Sequence, residues 1–276
     1  MSGLEIRPVT PVIGAEIRGV DLREPLAPEE VAAIERAFLE RQVLFFHGPD
    51  VPVERLLDFG RHYGNVSLPP IAPAHPEHPD VMVFELFDPR GAGADTWHVD
   101  AIYTEEPPKA TILKAVKLPE VGGDTYFANM VAAFEALSPS FQEMISGLRA
   151  VHDIAAPMRR AIDKGIRSEE EYEATRRSFP PVEHPLVRRH PETGRRSLFL
   201  AANSTTRIVG LSEAESDLLL TFLLSHIQLP EFHCRFRWEP NSIAFWDQRC
   251  TVHYAIPDYK EQRTMYRLSI DGDKPR

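Results

Sequence analysis

Short runs of apolar, β-branched and aromatic residues recur along this chain and limit the folds that it can adopt. Val43–Phe46 is such a run, and Gly48, Pro49 and Asp50 follow it directly. Its length and composition predict a buried strand that the turn residues terminate. The same reasoning predicts strands over 14–22, 81–86, 110–116, 234–238, 242–246 and 263–270, and a hairpin over 185–200.

Helical signals lie early and in the middle of the chain. Pro28 opens a helix in which Val31 and Ile34 begin an inward-facing stripe at helical spacing. Ser212 and Glu215 form a capping-box pattern ahead of a second stripe. Further helices are predicted over about 53–62, from 138 onward, and within the charged stretch 157–180. A distorted double-sheet β roll with peripheral helices, in the α+β class, accommodates this order of elements best.

Length and charge exclude several classes of function. With 276 residues, 43% of them hydrophobic, the chain can bury a substantial core, and we expect a single domain over 1–276. Its 41 acidic and 31 basic residues give a net charge of −10, so it would repel nucleic-acid phosphates and anionic lipid. We therefore expect a small-molecule partner, with neither nucleic acid nor membrane, and leave a homo-oligomer open.

Cysteine content and the first residues bear on the compartment. Only Cys234 and Cys250 are present, too few for a disulfide framework, which fits a reducing environment. Residues 1–7 lack a basic flank followed by an apolar run, and no stretch approaches the roughly 20 apolar residues of a membrane span. The sequence therefore predicts a soluble, cytoplasmic protein.

His98 and Asp100 are candidate metal ligands, and His253 is a candidate third. Residues two apart on a strand point to the same face, because side chains alternate with a period of two. One strand would thus offer two ligands to one ion. Two imidazoles and one carboxylate on one face of an ion leave the opposite face open, as in non-haem Fe(II) oxygenases. The same donor set also serves catalytic zinc.

A second His-x-Asp pair shows that this spacing alone is weak evidence. His78 and Asp80 have it too, but they lie in a proline-rich stretch where Pro79 would interrupt strand pairing. We interpret that copy as a surface loop.

Two arginines near the C-terminus are candidate anion-binding groups. Arg263 and Arg267 share one face of a predicted strand by alternation. If that face lines the interior, two fixed cations near a metal would suit a carboxylate or sulfonate held by bidentate pairs. The alternative is two solvated arginines on an edge strand.

Six segments form a pattern that is more specific than any single motif. They are Trp97–Asp100, Gly122–Thr125, Thr205–Val209, Trp246–Arg249, His253–Tyr259 and Arg263–Pro275. In order and spacing they resemble the taurine dioxygenase (TauD/TfdA) family of Fe(II)- and 2-oxoglutarate-dependent dioxygenases, from about residue 5 to the end.

The resemblance implies a fold, a reaction and residue roles. The fold would be a double-stranded β-helix (jelly roll, cupin-like) core with peripheral helices. His98, Asp100 and His253 would hold Fe(II) and form the catalytic centre. Thr125 and Arg263 would bind the distal carboxylate of 2-oxoglutarate, the cosubstrate consumed with O₂. The substrate would be hydroxylated next to a heteroatom, with succinate and CO₂ as coproducts, as when taurine releases sulfite.

The resemblance also bears on the primary substrate, whose anionic group Arg267 would meet. Family members that act on taurine have a His, a Tyr and an Asn where this chain aligns Pro69, Ala72 and Ala94. Ala101 is a further expected substrate contact. Loss of three polar side chains favours a wider, less polar pocket and a bulkier acid. We expect taurine or a longer alkylsulfonate, with an alkyl sulfate ester or an aryloxy acid as alternatives.

A lid is expected as well, because oxidation without substrate would damage the protein. The candidate segments are 68–96 and 155–182.

Two functions of other classes remain open, a zinc-dependent hydrolase on a β roll and a binding protein that has lost its chemistry. Thr125 and Arg263 weigh against the hydrolase, which needs no second carboxylate clamp. Competent residues at all three metal positions weigh against a decayed site.

Overall fold

The computed structural model describes residues 3–68, 72–90, 93–163, 165 and 168–276, which form an α+β structure. The helices are α1 (Pro28–Arg41), α2 (Val53–Arg61), α3 (Met130–Glu135), α4 (Pro139–Ile145), α5 (Ala155–Asp163), α6 (Glu169–Ser178) and α7 (Glu213–His226). The strands are β1 (Glu5–Pro8), β2 (Ala15–Arg18), β3 (Val43–Phe46), β4 (Val66–Ser67), β5 (Met82–Leu86), β6 (Ala110–Lys117), β7 (Thr125–Asn129), β8 (Arg149–His152), β9 (Val182–Pro185), β10 (Val187–Arg189), β11 (Arg196–Leu198), β12 (Thr205–Ile208), β13 (His233–Phe236), β14 (Ile243–Asp247), β15 (Thr251–Ala255) and β16 (Arg263–Ile270).

Eight of the described strands form the larger sheet, in the order β1-β2-β3-β14-β6-β16-β4, with β5 paired to β16. The pairing of β2 with β3 is parallel and the others are antiparallel. Phe245 of β14 lies opposite Leu44 on one side and Ile112 on the other. All five residues of β14 are buried. A strand that is buried on both faces has a continuous run of apolar residues, and this run is why Ile243–Trp246 could be recognised in the sequence.

A three-stranded sheet, β13-β7-β15, packs face to face against the eight-stranded sheet. Phe45 of β3 stacks on Phe236 of β13 with ring centroids 4.0 Å apart, and Phe127 of β7 lies 5.8 Å from Phe45. These side chains belong to one buried apolar cluster that draws on both sheets. The layer between the sheets is therefore a packed core. The strand β15 lies at one edge of the three-stranded sheet.

The helices cover the outside of these layers. Phe38 of α1 stacks on Phe245 with ring centroids 4.2 Å apart, and Phe59 of α2 meets the same ring edge-on. The capping box predicted for α7 is confirmed, because Ser212 and Glu215 each accept a hydrogen bond from the other's backbone N–H. None of the helices in the described ranges is long and apolar enough to cross a membrane.

Most predicted elements are present, with shifted ends. The helices over 28–41 and 53–61, the strands over 43–46, 82–86, 110–117, 233–236, 243–247 and 263–270, and the hairpin of β10 with β11 are all found. The helix that starts at Pro139 ends at Ile145, earlier than the predicted Leu148, and the charged stretch 157–180 folds into α5 and α6. The elements β1, β4, β8, β9, β12, β15 and α3 were not predicted.

One prediction about the metal motif is wrong. Residues 98–100 do not form a strand, since His98 makes a single isolated bridge to His253 and the chain then turns. The turn contains Ala101 in the left-handed region, with φ of 47°, which regular strand pairing cannot accommodate. His253 lies in β15, an unpredicted strand.

Candidate active site

His98, Asp100 and His253 converge on one point, although no strand carries two of them. His253 lies in β15 opposite Phe127 of β7. The backbones of His98 and His253 exchange two N–H···O bonds of 2.9 Å, which hold the loop before Asp100 against β15. The predicted convergence is therefore found, but a bridge between a loop and a strand produces it.

The three side chains fit a single cation. Oδ1 of Asp100 lies 3.8 Å from Nε2 of His98 and 3.8 Å from Nε2 of His253. The candidate ligand atoms of the three residues all lie within 4.8 Å of one another, and each residue is less than 9% exposed. Because metal–nitrogen and metal–oxygen bonds are about 2.0–2.2 Å long, an ion between these atoms could contact all three.

The protonation states of these groups suit metal binding. Nδ1 of His98 donates to the carbonyl of Thr96 at 2.7 Å, which leaves its Nε2 lone pair facing the site. Burial lowers the pKa of His98, and burial and the neighbouring His98 lower that of His253, so both imidazoles are neutral. Burial opposes ionisation of Asp100, but the charge of Arg267 and the hydrogen bond from Thr111 favour it, and the pKa of Asp100 lies at about 2.

The other oxygen of Asp100 is fully engaged. Oδ2 accepts from Thr111 Oγ1 at 3.0 Å and from Gln248 Nε2, and it forms an ion pair with Arg267 Nη2 at 3.1 Å. Oδ1 therefore remains as the oxygen that faces the imidazoles. Arg267, predicted to meet the substrate's anionic group, thus also contacts the candidate metal ligand.

Arg263 and Thr125, the predicted 2-oxoglutarate contacts, both contact Trp238. Nε1 of Trp238 donates to Thr125 Oγ1 at 3.0 Å, and the Arg263 guanidinium carbon lies 5.5 Å from the Trp238 ring. Arg263 is 2% exposed, and its Nε and Nη2 have no hydrogen-bond partner in the described part of the chain. Burial lowers the pKa of Arg263, although contact with Tyr259 opposes this. A buried cation with free N–H groups fits a carboxylate ligand.

The glycines of the Gly122–Thr125 motif allow the backbone to approach this cation. A Cβ atom on Gly123 would lie 3.2 Å from the Tyr259 ring and 3.4 Å from Arg263 Cδ. Gly123 also has a φ of 74°, and its N–H donates to Asp258 Oδ1 at 2.7 Å. Both the space and the backbone conformation therefore favour glycine there.

A cavity of about 370 Å³ opens beside Asp100 and contains the predicted substrate contacts Arg267, Ala101, Ala72 and Ala94. Pro69, the remaining one, lies outside the described residues. Both predicted lid segments contribute to the wall. Its apolar side chains include Met82, Phe84, Leu86, Ile154, Met158 and Ala161, and Tyr103 and Asn203 add polar groups.

Sequence reasoning gave no role to several residues at this site. Gln248 belongs to the Trp246–Arg249 motif, but the motif alone does not show that its amide reaches Asp100. Thr111 and Tyr103 lie in or near predicted elements without any distinguishing local pattern. Trp238 marks the predicted end of a strand, and its contact with Thr125 depends on how the two sheets pack.

A second buried cluster, His190, Asp247 and Cys250, also has metal-ligand geometry. Both oxygens of Asp247 already accept hydrogen bonds from Arg249, at 2.8 and 2.6 Å, and one also bonds His190 Nε2 at 3.0 Å. An ion there would have to displace a buried arginine. We interpret this cluster as a structural support of the turn before β15.

Comparisons with known proteins agree with this geometry. A family model described as "Taurine catabolism dioxygenase TauD, TfdA family" matches residues 5–269. An "Alpha-ketoglutarate-dependent sulfate ester dioxygenase" of Pseudomonas putida is 36% identical over 99% of this chain and 91% of its own length. An "Alkylsulfatase" of Acinetobacter baylyi is 35% identical over 98% of this chain and 86% of its own length.

A solved structure, "Crystal Structure of a Taurine Dioxygenase from Burkholderia xenovorans", superimposes with a TM-score of 0.84. It is 36% identical in sequence, and the match covers 99% of this chain and 90% of that one. The likeness therefore extends to the three-dimensional arrangement of nearly the whole chain.

Proposed function

The chain belongs to the taurine catabolism dioxygenase TauD, TfdA family, and on that premise we propose that it oxidises an anionic alkyl sulfate ester or alkylsulfonate, with Fe(II), 2-oxoglutarate and O₂. The observation that carries the proposal is the buried triad of His98, Asp100 and His253, next to a cavity whose described lining combines the guanidinium of Arg267 with a mainly apolar wall. The family is one of dioxygenases, so the zinc hydrolase receives no support.

Each group of the site has a distinct task in this proposal. His98, Asp100 and His253 would hold the iron, and Arg263 with Thr125 would bind the distal carboxylate of 2-oxoglutarate. When bound, Fe(II) and 2-oxoglutarate together supply the activation of O₂, and the cosubstrate leaves as succinate and CO₂. The chain's own residues position the cosubstrate, hold the substrate and exclude water from the reacting carbon.

We also propose that the two facing sheets form the jelly-roll core that the resemblance implies. The face-to-face contact of Phe45 with Phe236 supports this, as does the edge position of β15. In that arrangement the triad and the Arg263 site lie at the layer between the two sheets.

The cavity favours an amphipathic substrate. Arg267 provides a guanidinium, which suits a sulfate or sulfonate group because it donates two hydrogen bonds in a fixed geometry. Met158 and Phe84 belong to a wall that is mainly apolar and suits an alkyl chain. The ammonium group of taurine would lose hydration against such a wall. An alkyl sulfate ester therefore fits better than taurine, in line with the names of two relatives.

The proposed reaction balances without a further reagent. Insertion of one oxygen atom into the C–H bond next to the ester oxygen gives a hydroxylated carbon that bears the sulfate group. That carbon loses its hydroxyl proton as its bond to the ester oxygen breaks, which yields an aldehyde and free sulfate. The second oxygen atom of O₂ leaves in succinate.

The test is a substrate panel with coupled product analysis. Anaerobic enzyme with Fe(II) and 2-oxoglutarate is mixed with alkyl sulfates, alkylsulfonates, taurine and alkyl carboxylates of matched chain length. A compound of the true substrate class should perturb the metal-to-ligand absorption band of the anaerobic enzyme. After O₂ is added, the amount of succinate formed should equal the amount of sulfate or sulfite released. Preference for taurine, or coupling with the carboxylates alone, would refute the substrate class.

We further propose that the enzyme works in the cytoplasm. Its two cysteines, Cys234 and Cys250, are free and buried, which suits a reducing compartment.

A further inference from the structure

Asp100 lies in a loop segment whose backbone is not paired with a strand of either sheet. The last backbone pairing before it is the isolated bridge between His98 and His253. The next residue, Ala101, adopts a φ of 47° and starts a turn. In a strand the pleat would orient the carboxylate, but here another group must fix it.

The side-chain amide of Gln248 contacts Asp100 at two points. Its Oε1 accepts from the Asp100 backbone N–H at 3.2 Å, and its Nε2 donates to Asp100 Oδ2. The same Nε2 donates to Thr111 Oγ1 at 2.8 Å, and Thr111 Oγ1 donates to Asp100 Oδ2 at 3.0 Å. Gln248 is 1% exposed, so all three groups exchange these hydrogen bonds away from water. The carboxylate is therefore held by a closed triangle of buried hydrogen bonds.

The backbone of Gln248 is itself firmly held. Its N–H donates to the carbonyl of Lys109 at 3.0 Å, and the neighbouring Asp247 donates from its N–H to the carbonyl of Gln42 at 2.9 Å. Thr251 Oγ1 closes the turn by donating to the Asp247 carbonyl at 2.6 Å. The strand β15, which carries His253, begins at Thr251. One rigid turn thus supports both the amide and the strand of a second candidate ligand.

We infer that Gln248 is a positioning residue of the metal site, whose amide holds Asp100 with Oδ1 toward the two imidazoles before any ion binds. The inference rests on the proposed metal site and adds a residue that acts through Asp100. With Oδ2 engaged in these hydrogen bonds, Oδ1 is the oxygen that faces the two imidazoles.

The variant Gln248→Met tests this role. Methionine has nearly the same length and volume, but it cannot replace the three hydrogen bonds of the Gln248 amide. Loss of a partner that orients a metal ligand lowers metal affinity by about 10- to 100-fold, and we expect a loss in that range. The measurement is isothermal titration of the metal-free enzyme with Mn(II), which replaces Fe(II) without reacting with O₂.

The matched control is Gln228→Met. Gln228 is exposed, and its Nε2 bonds the Leu224 carbonyl within the same helical region. We expect its Mn(II) affinity to equal that of the unaltered protein. A second variant, Thr111→Val, removes two sides of the triangle with little change of shape but keeps both contacts of Gln248 with Asp100, so it should lower Mn(II) affinity in the same direction by a smaller factor. If Gln248→Met does not fold, the Mn(II) affinity of Thr111→Val still tests the role of the triangle.

A purely structural role predicts a different pattern. It would lower the melting temperature of the metal-free protein and leave the Mn(II) affinity of the folded fraction unchanged. If both variants bind Mn(II) as tightly as the unaltered protein, the inference is overturned and the metal site survives. If the unaltered protein itself binds no Mn(II), the proposed metal site falls and the inference with it.

Discussion

Replacement of Arg263 by methionine should change function and stability in opposite directions. Arg263 is 2% exposed, and two of its N–H groups have no hydrogen-bond partner in the described part of the chain. Without a bound anion, the metal-free protein carries a buried cation that is only partly compensated by contacts with Tyr259 and Trp238. Methionine fills similar space without a charge.

The magnitudes follow from the unpartnered groups. Each hydrogen bond from a charged donor contributes about 1.5–3 kcal/mol, so loss of two costs roughly 3–6 kcal/mol, or about two to four orders of magnitude in 2-oxoglutarate affinity. Removal of the buried charge should stabilise the metal-free protein by about 1–4 kcal/mol. For a chain of this size, that raises the melting temperature by at least about 2 °C.

Two assays measure the two effects separately. Calorimetry of the metal-free protein gives the melting temperature, and anaerobic titration of the Fe(II) protein with 2-oxoglutarate gives the affinity. Arg237→Met is the control, since Arg237 is exposed and should change neither. If Arg263→Met melts below the unaltered protein and keeps its affinity for 2-oxoglutarate, then Arg263 is a structural cation and not a carboxylate clamp.

Three other predictions test other parts of the site. Asp100→Ala should abolish succinate formation, measured by chromatography, because the only carboxylate of the triad is lost; retained formation would show that Asp100 is not a ligand. Met158→Ala should lower kcat/KM for a long-chain alkyl sulfate about 10-fold and leave a short-chain one nearly unchanged, because Met158 lines the apolar wall; equal losses would contradict an alkyl pocket. Burial, with the nearby His184, lowers the pKa of His152 to about 3. Below pH 6.5 only the unfolded state therefore takes up this proton, and the free energy of unfolding falls as pH drops from about 6.5 toward 3. His152→Phe should make that fall shallower between pH 7 and pH 4.5 in urea titrations, and an unchanged slope would contradict neutral burial of His152.

Local sequence patterns predicted the helices and strands whose burial follows a regular pattern along the element. The strand Ile243–Asp247 lies between two others and is buried on both faces, so its apolar run is unambiguous. All four residues of the short edge strand Glu5–Pro8 are exposed, and no hydrophobic pattern marks it. Strand Thr251–Ala255 was missed because it alternates little and follows a turn that tertiary hydrogen bonds stabilise.

The three side chains predicted to bind the metal do come together, but the argument that paired two of them was partly wrong. Strand alternation was the reason to pair His98 with Asp100, yet these residues lie in a loop that one bridge holds to His253. The resemblance to a family supported His253 as the third candidate ligand, which spacing alone could not do. Convergence of a loop and a strand depends on tertiary packing, and a local pattern cannot encode it.

The hydrogen bonds that support the site from distant parts of the chain were not predicted. Gln248 and Asp100 are 148 positions apart, and Trp238 and Thr125 are 113 apart. Nothing in either local sequence indicates its partner. The pairing of Arg267 with Asp100 likewise appears only when β16 lies beside the loop that follows His98.

The central claim is that His98, Asp100 and His253 bind one metal ion. A crystal structure of the protein grown with Mn(II) and 2-oxoglutarate, with anomalous scattering to locate the manganese, tests it most directly. The account predicts one ion within about 2.3 Å of His98 Nε2, Asp100 Oδ1 and His253 Nε2. An ion bound instead by His190, Asp247 and Cys250, or no ion at all, would contradict it.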